Sequence, residues 1–247
     1  MDTPPTFLAS TNRYWAVKLS VNAFTETQLL LLTFVTGLQN AICFTDFRAF
    51  APAQTGNTVV LAISLAGGKR TPTCLNVGVS LASWLIGAMI TGRMGSTVGR
   101  RRRVWQVGVG LVQTCMVLCA GFIHWKYGIG HNDRRANVCI ALLASACGSQ
   151  IAAGRAWAVP EISTAMATAC WVDLLIDDRL FARDNRPRNR RVLFLLTLVM
   201  GTLVGAFAKD WVGSPEVVLF SGVLKALVVV AMSFTPGEQA DLSTKPL

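Results

Sequence analysis

Two matched sets of amide and hydroxyl side chains are the groups in this sequence best suited to hold a small polar solute. Each set begins with a glutamine in an apolar segment and continues past a proline into a stretch that contains threonine. Hydroxyls, amides and helix starts are the groups that coordinate solutes and ions inside membrane carriers. The candidate binding residues are Gln39, Asn40, Thr55, Asn57, Gln150 and Thr168.

Ionisable side chains also occur in apolar surroundings, where burying a charge in lipid costs at least about 2.5 kcal/mol. Asp46, Glu161 and Asp173 are candidate acids or proton-coupling groups. Lys225 could pair with Asp173, although the aspartates that follow Asp173 favour a position at the membrane edge. Glu161 follows a proline, and the dipole of a helix start would favour a carboxylate there without any functional role.

Packing explains the same amides and hydroxyls about as well, because small and amide-bearing residues hold membrane helices together. His124 and His131 fit a solvated loop and lack the partner spacing of a metal site. The cysteines lie in apolar stretches and fit packing rather than disulfides. No motif of an established enzyme class is present, so we predict no catalytic residue, metal or cofactor and favour a protein that is not an enzyme.

The composition indicates a small polytopic membrane protein. Of the 247 residues, 52% are hydrophobic and only 15% are charged, whereas soluble proteins carry roughly 25% charged residues. Disorder, a coiled coil and a collagen-like fibre are excluded. The net charge of +10 could indicate nucleic-acid binding, but no recognition motif accompanies it, and no nucleic-acid partner is predicted.

Six apolar segments approach the length of about 20 residues that a membrane-spanning helix needs. Segments 51–68 and 158–177 are also apolar but interrupted, and we expect broken or re-entrant helices there. Irregular backbone at membrane depth survives only inside protein or around water, so 46–58 and 155–168 should line a central cavity. The predicted fold class is an all-α integral membrane protein. Its expected spans are 28–44, 74–92, 104–123, 136–154, 192–208 and 217–234.

Arginines concentrate in two blocks, from Arg100 to Arg103 and from Arg183 to Arg191. With six spans, both blocks and both chain ends lie on one face, which the positive-inside rule makes cytoplasmic. Basic blocks beside apolar helices also attract anionic lipid head groups. The predicted partners are therefore the lipid bilayer, anionic head groups and a small-molecule solute.

The two halves of the chain resemble each other. GLQNAICF at 37–44 matches GSQIAAGR at 148–155 with a glycine and a glutamine in register, and WLIGA at 84–88 matches LVGA at 203–206. Three spans per half is an odd number, so we expect inverted halves, an arrangement common in transporter folds. The predicted parts are a polar or interfacial segment 1–24, a membrane domain 25–235 with halves 26–124 and 136–235, and a C-terminal tail 236–247.

The run from 33 to 68 resembles the YoaK family of small polytopic membrane proteins, whose Thr-Gly-Asn-Thr motif stands here at Thr55 to Thr58. The segment 148–174 is similar to the second signature of that family, with Thr168-Ala169-Cys170 where members commonly have Thr-Gly-Thr. The resemblance spans about 26–235 and extends to shorter fungal members, some of which lie in metabolite gene clusters. It implies an integral membrane protein without an assigned activity.

The leading hypothesis is a transporter-like carrier for a small polar or anionic solute, tied to a metabolite biosynthesis pathway. One alternative is a membrane-embedded enzyme or accessory factor that acts on a lipophilic metabolite. A third is a scaffold that assembles other membrane proteins through faces of small residues.

The topology is directly testable with a tag in the 125–136 loop. Because both arginine blocks are expected on the cytoplasmic side, this loop should be reached only by a reagent on the opposite side. Finding the tag in the cytoplasm would overturn the arrangement of six spans.

Overall fold

A computed structural model describes residues 14–67, 72–130 and 133–238, and their regular structure is helical. Among these residues, six α-helices, all except the short Gln54–Ala66 and Ala167–Leu175, are long and apolar enough to cross a membrane. This confirms the predicted all-α membrane fold. The helices are α1 (Ala23–Phe47), α2 (Gln54–Ala66), α3 (Pro72–Val98), α4 (Arg103–Tyr127), α5 (Arg134–Gly154), α6 (Ala167–Leu175), α7 (Arg186–Val212) and α8 (Ser214–Ser233).

Side-chain caps fix where several of the long helices begin. Asn22 accepts a hydrogen bond from the backbone of Thr25 at 2.9 Å, and Asn185 accepts one from Arg188 at 3.0 Å. Such caps satisfy backbone N–H groups that have no partner inside the first turn of a helix. α1 ends where Arg48 takes a left-handed conformation with φ of 53°. The chain then enters the short α2, whose 13 residues are too few to cross a membrane.

The contacts between helices fix their directions. Glu26 meets Arg190 near the start of α1 and α7, and Leu38 meets Gly205 farther along both, so these two helices are parallel. α4 and α8 are antiparallel, because Gly121 approaches Leu219. The short connection between α7 and α8 makes those two helices antiparallel. α4 is therefore parallel to α7, and α1, α4 and α7 share one direction.

α3 and α5 also run parallel to each other. The hydroxyl of Ser145 donates to the carbonyl of Ser83 at 3.1 Å, and that of Thr91 donates to Ser149 at 2.8 Å farther along both helices. Because α4 and α5 are joined as an antiparallel pair, α3, α5 and α8 share the direction opposite to α1. The connections that contain α2 and α6 therefore return to the face they left.

Glycine allows two pairs of helices to touch through their backbones. A Cβ on Gly37 of α1 would lie 2.5 Å from the carbonyl oxygen of Leu198 in α7, and one on Gly201 of α7 would lie 2.3 Å from that of Phe34. Close approach of this kind is typical of packed membrane helices. No larger residue fits at either glycine without separating the two helices.

The same reciprocal contact joins α3 and α5. A Cβ on Gly87 would lie 2.3 Å from the carbonyl oxygen of Ser145, and one on Gly148 would lie 2.2 Å from that of Trp84. By these contacts, the residue of the second half that corresponds to Gly87 is Gly201. The sequence match of WLIGA with LVGA instead aligns Gly87 with Gly205, which lies one helical turn after Gly201. The reciprocity of these contacts is what a duplicated, inverted chain predicts.

α1 and α5 form the centre of the bundle. The most apolar part of each is 67% buried, against 17% for α3 and 22% for α7, which therefore present most of their surface outward. The exposed side chains of these outer helices are large and apolar, as expected of a surface in contact with lipid. They include Leu85, Met89, Leu196, Leu203 and Phe207.

One end of the bundle, which we call the arginine face, gathers residues 17–20, 99–103 and 234–238. Leu19 donates its backbone N–H to Arg101 at 2.9 Å, and Ser20 donates to Pro236 at 2.9 Å. The guanidinium of Arg103, only 4% exposed, donates to the carbonyl of Thr235 at 2.7 Å. The described parts of the predicted N-terminal segment and C-terminal tail therefore pack against the first arginine block.

We predict that Gly87→Ala destabilises the protein by about 1–3 kcal/mol, because its methyl group would overlap the backbone of α5. Gly92→Ala is the matched control on the same helix, since a Cβ there meets nothing within 4 Å. The thermal unfolding midpoint of each purified variant in detergent measures the difference. Equal midpoints for the two variants would contradict the close approach of α3 and α5.

Candidate functional site

A buried lysine marks the polar centre of the bundle. Lys225 lies near the middle of α8 and is 2% exposed, and its Nζ donates a short hydrogen bond to Oε1 of Gln150 in α5. No described carboxylate forms an ion pair with it. Of the two possibilities for Asp173, the structure does not form the pair with Lys225, since Asp173 is exposed in α6.

The side chain of Gln150 also forms a hydrogen bond with α1. Its Nε2 donates to the hydroxyl of Thr36 at 3.1 Å, and the hydroxyl of Thr36 donates in turn to the carbonyl of Leu32 at 2.9 Å. The amide of Gln150 therefore bridges a cation on α8 and a hydroxyl on α1. An amide is suited to this role because it has both an acceptor and donors.

Gln39, the counterpart of Gln150 in the first half, makes a second bridge beside the first. Its Nε2 donates to the hydroxyl of Ser221 in α8 at 3.2 Å, while its Oε1 accepts from the thiol of Cys147 in α5 at 3.3 Å. Gln39 is 1% exposed and Gln150 is 3% exposed. The structure therefore brings together the two glutamines that the sequence match aligned.

A small internal cavity opens beside Lys225 and Gln150. It offers about 20 Å³ to a water-sized sphere, which is enough for one water molecule. Apolar side chains of α1, α4 and α8 form most of its wall, and Trp157 closes it toward the arginine face. Its polar lining consists of Gln106, Gln113, Gln150 and Lys225.

The cavity wall differs from the one expected from the sequence. Of the stretches 46–58 and 155–168, only Trp157 contributes to it. The irregular segments instead pack at the two ends of the bundle. Lys225 and Gln113 were absent from the candidate binding residues, although Lys225 is a cation in the middle of an apolar segment and could have been chosen on that signal.

Asn57 is buried away from this centre, in the first turn of α2. Its Oδ1 accepts from the backbone N–H of Phe50 at 2.9 Å, and its Nδ2 donates to the carbonyl of Phe50 at 2.6 Å and to the hydroxyl of Ser80 at 3.1 Å. These bonds close the turn onto α3. In this structure the amide of Asn57 is occupied by protein.

The remaining amide and hydroxyl candidates do not reach the centre. Thr55 and Thr168 are exposed, so the expectation that Thr168 faces a shared interior with the glutamines is wrong. Asn40 is half-buried, and its Oδ1 is buried without a hydrogen-bond partner in the structure. It follows that only Gln39 and Gln150 of the predicted binding set lie together.

Asp46 and Glu161 lie at opposite ends of the bundle. Asp46, at the end of α1, has its Oδ2 3.5 Å from Nε2 of His124 in α4. His124 is 4% exposed and is therefore a packed residue rather than part of a solvated loop, while His131 lies outside the described residues. Glu161, at the arginine face, has its Oε2 3.6 Å from Arg190.

Many arginines of the two blocks have partners within the protein. Glu26 accepts hydrogen bonds at 2.6 Å from both Arg186 and Arg190, and Arg191 donates to Asp177 at 3.0 Å. The backbone N–H of Arg179, with help from Asn185 and Arg191, holds the pKa of Asp177 below its ordinary value. Because the folded pKa is lowered, this stabilisation is complete at neutral pH and is lost only as the pH falls through that lowered value.

We predict that Asn57→Ala destabilises the protein by about 1–3 kcal/mol, since it leaves the backbone N–H of Phe50 without its partner and removes one of the hydrogen bonds to the carbonyl of Phe50, which keeps the hydroxyl of Ser80. Thr55→Ala, at an exposed position of the same helix turn, should change stability by no more than about 0.5 kcal/mol. Thermal unfolding in detergent compares the two. A loss of activity in Asn57→Ala at unchanged stability would contradict the structural role assigned to Asn57.

A family model described as "Protein of unknown function (DUF1275)" matches residues 28–231, and the chain belongs to this family. The match covers the membrane domain from α1 to the end of α8. No curated protein and no solved structure matches the chain.

Proposed function

We propose that this member of the DUF1275 family is a transporter-like carrier for a small polar or anionic solute, and that Lys225, Gln150 and Gln39 form its central site. The family description assigns no activity, so the proposal depends on the site itself. The observation that carries it is a buried cation that contacts a neutral amide beside a small cavity.

The position of the site supports transport. The two glutamines bridge α1 and α5, which are the central helices of the two halves, and both reach α8. Carriers built from inverted halves commonly hold their solute where the halves meet. A solute bound there would contact both halves at once, so a change in how the halves pack would change access to it.

Burying these polar and charged side chains costs free energy, which argues against a purely structural role. An ionisable residue within a membrane-spanning helix is by default a functional residue, because leucine would pack in the same place without the cost of burying a charge. A scaffold would need faces of small residues, and the reciprocal glycines here are already filled by helices of the same chain. The carrier is therefore favoured over the scaffold.

An enzyme is less well supported than a carrier. The candidate acids Asp46, Glu161 and Asp173 lie apart, with Asp46 against His124, Glu161 against Arg190 and Asp173 exposed. General acid–base chemistry needs such groups within hydrogen-bond reach of one reacting centre. None of the three lines the cavity at Lys225.

Orientation and lipid contacts are part of the same proposal. The arginine face is placed on the cytoplasmic side by the positive-inside rule. The exposed arginines there, Arg100, Arg102 and Arg183, are available for anionic lipid head groups. The resemblance to the YoaK family and its shorter fungal members extends the proposal to a solute from a metabolite biosynthesis pathway.

Untargeted metabolite profiling of a deletion strain, separated into cells and medium, tests the class of function. A compound retained in cells supports export, and one retained in the medium supports import. A precursor that accumulates in both fractions would instead support an enzyme.

Replacing the central glutamines tests the site. We predict that Gln150→Leu and Gln39→Leu abolish the metabolite difference that the wild-type gene restores, while the abundance of the protein in the membrane stays near normal. Asn137→Leu, at the outer end of α5, is the matched control and should restore the wild-type profile. Activity per folded molecule is the quantity to compare. Unchanged specific activity in both glutamine variants would remove them from the site.

A further inference from the structure

Lys225 has unused hydrogen-bonding capacity on the side of the cavity. An ammonium group carries three N–H donors, and the described residues accept one hydrogen bond from it, at Oε1 of Gln150. A buried charge normally pairs with an opposite charge, because leaving it alone is costly. In the described part of the chain that counter-charge is missing, although a cavity lies next to the amine.

The amides of the cavity wall donate to protein partners, so Lys225 is the group that would hold an occupant. Gln113 donates its Nε2 to the hydroxyl of Ser149 at 3.0 Å, and Gln106 donates to the carbonyl of Arg100 at 2.6 Å. These bonds hold both amide side chains in fixed orientations. The rest of the wall is apolar, including Leu29 and Val229, so Lys225 carries the formal charge of the cavity.

Two further spaces lie next to this cavity on the side of the arginine face. A pocket of about 90 Å³ shares Gly154 with the central cavity and reaches Arg155 and Ser163. Arg155 in turn lines a surface groove of about 520 Å³. The 3-10 turn Arg155–Trp157 separates the groove from the centre, with Trp157 buried on the inner side and Arg155 exposed on the outer side.

The groove is strongly basic. Its charged lining residues are Lys18, Arg100, Arg101 and Arg155, and none of the described acidic residues lines it. At its rim, Arg101 lies 3.5 Å from Glu238, which offsets one of these charges. Clefts lined by one sign of charge concentrate small ions of the other sign and speed their association.

We infer that the central site binds a small monovalent anion of the size of chloride or formate, which enters from the basic groove past the turn Arg155–Trp157. This inference rests on the proposed carrier function and narrows its solute. The charge follows from the unpaired cation and the basic groove. The size follows from the small cavity, which has room for at least one water molecule but not for a large anion such as citrate.

Binding of radioactive chloride to the purified full-length protein tests this inference, in an uncharged detergent with ionic strength balanced by sodium gluconate. We expect saturable binding that formate displaces and citrate does not. Lys225→Met should weaken chloride binding at least about tenfold, because hydrogen bonds to charged groups are the stronger class. Lys209→Met, near the end of α7, is the matched control and should bind chloride like the wild type.

Arg155→Gln gives an independent test if Lys225→Met fails to fold. Because Arg155 is exposed, this variant should fold, and it should slow chloride association at low ionic strength, with the difference fading as salt screens the groove. The absence of saturable binding in the wild type, or equal binding in Lys225→Met, would overturn the anion site.

The binding result and the metabolite result separate this inference from the proposed function. Chloride binding that depends on Lys225, together with an unchanged distribution of both metabolites and chloride between the cells and medium of the deletion strain, would support the anion site and overturn the carrier. A metabolite profile that requires Gln150, without anion binding, would overturn the anion site and keep the carrier.

Discussion

The structure depends on one constraint, which is that polar groups inside the bundle must find their partners within the protein because lipid offers none. Lys225 is the most demanding of these groups, since it is a cation near the middle of an apolar helix. Gln150 and Thr36 extend its contact across three helices. These hydrogen bonds require α1, α5 and α8 to meet at one level, which fixes the register of the central helices.

Close backbone contact makes that meeting possible. Gly37 and Gly148 each allow an outer helix to lie directly against the backbone of a central helix. Each glycine stands two residues before the glutamine of its half. A helix turns by about 200° over two residues, so the glycine and the glutamine of one half point to nearly opposite sides. One side of each central helix is therefore closed by backbone packing, while the other carries the polar centre.

The number and the positions of the membrane spans could be predicted from the sequence, because the lengths of the apolar segments determine them. Spans such as 28–44 and 136–154 have the length and the low charge of membrane helices, and an arrangement of six spans brings both arginine blocks to the same end of the bundle. The alignment of Gln39 with Gln150 was readable too, because both follow a glycine in the same pattern. The structural role of Asn57 could not be predicted, since an amide that closes a turn and an amide that binds a solute look alike in sequence.

Other features depend on contacts that are distant along the chain. Thr168 matched a threonine motif, but whether a side chain on the short α6 faces inward is decided by how the loops on either side of it pack. The hydrogen-bond partner of Lys225 also could not be predicted, because the sequence does not reveal that Gln150 rather than Asp173 lies within hydrogen-bond distance. Hydropathy likewise could not show that His124 is buried against Asp46 and Phe47.

The reciprocal glycines have a consequence for how small this fold can be. Every contact of this kind joins a helix of one half to a helix of the other. Half of the chain on its own would expose two glycine faces and one unpaired glutamine, with nothing inside itself to cover them. The surface that covers these glycines is supplied by helices of the other, oppositely oriented half, so each half depends on the other for its packing.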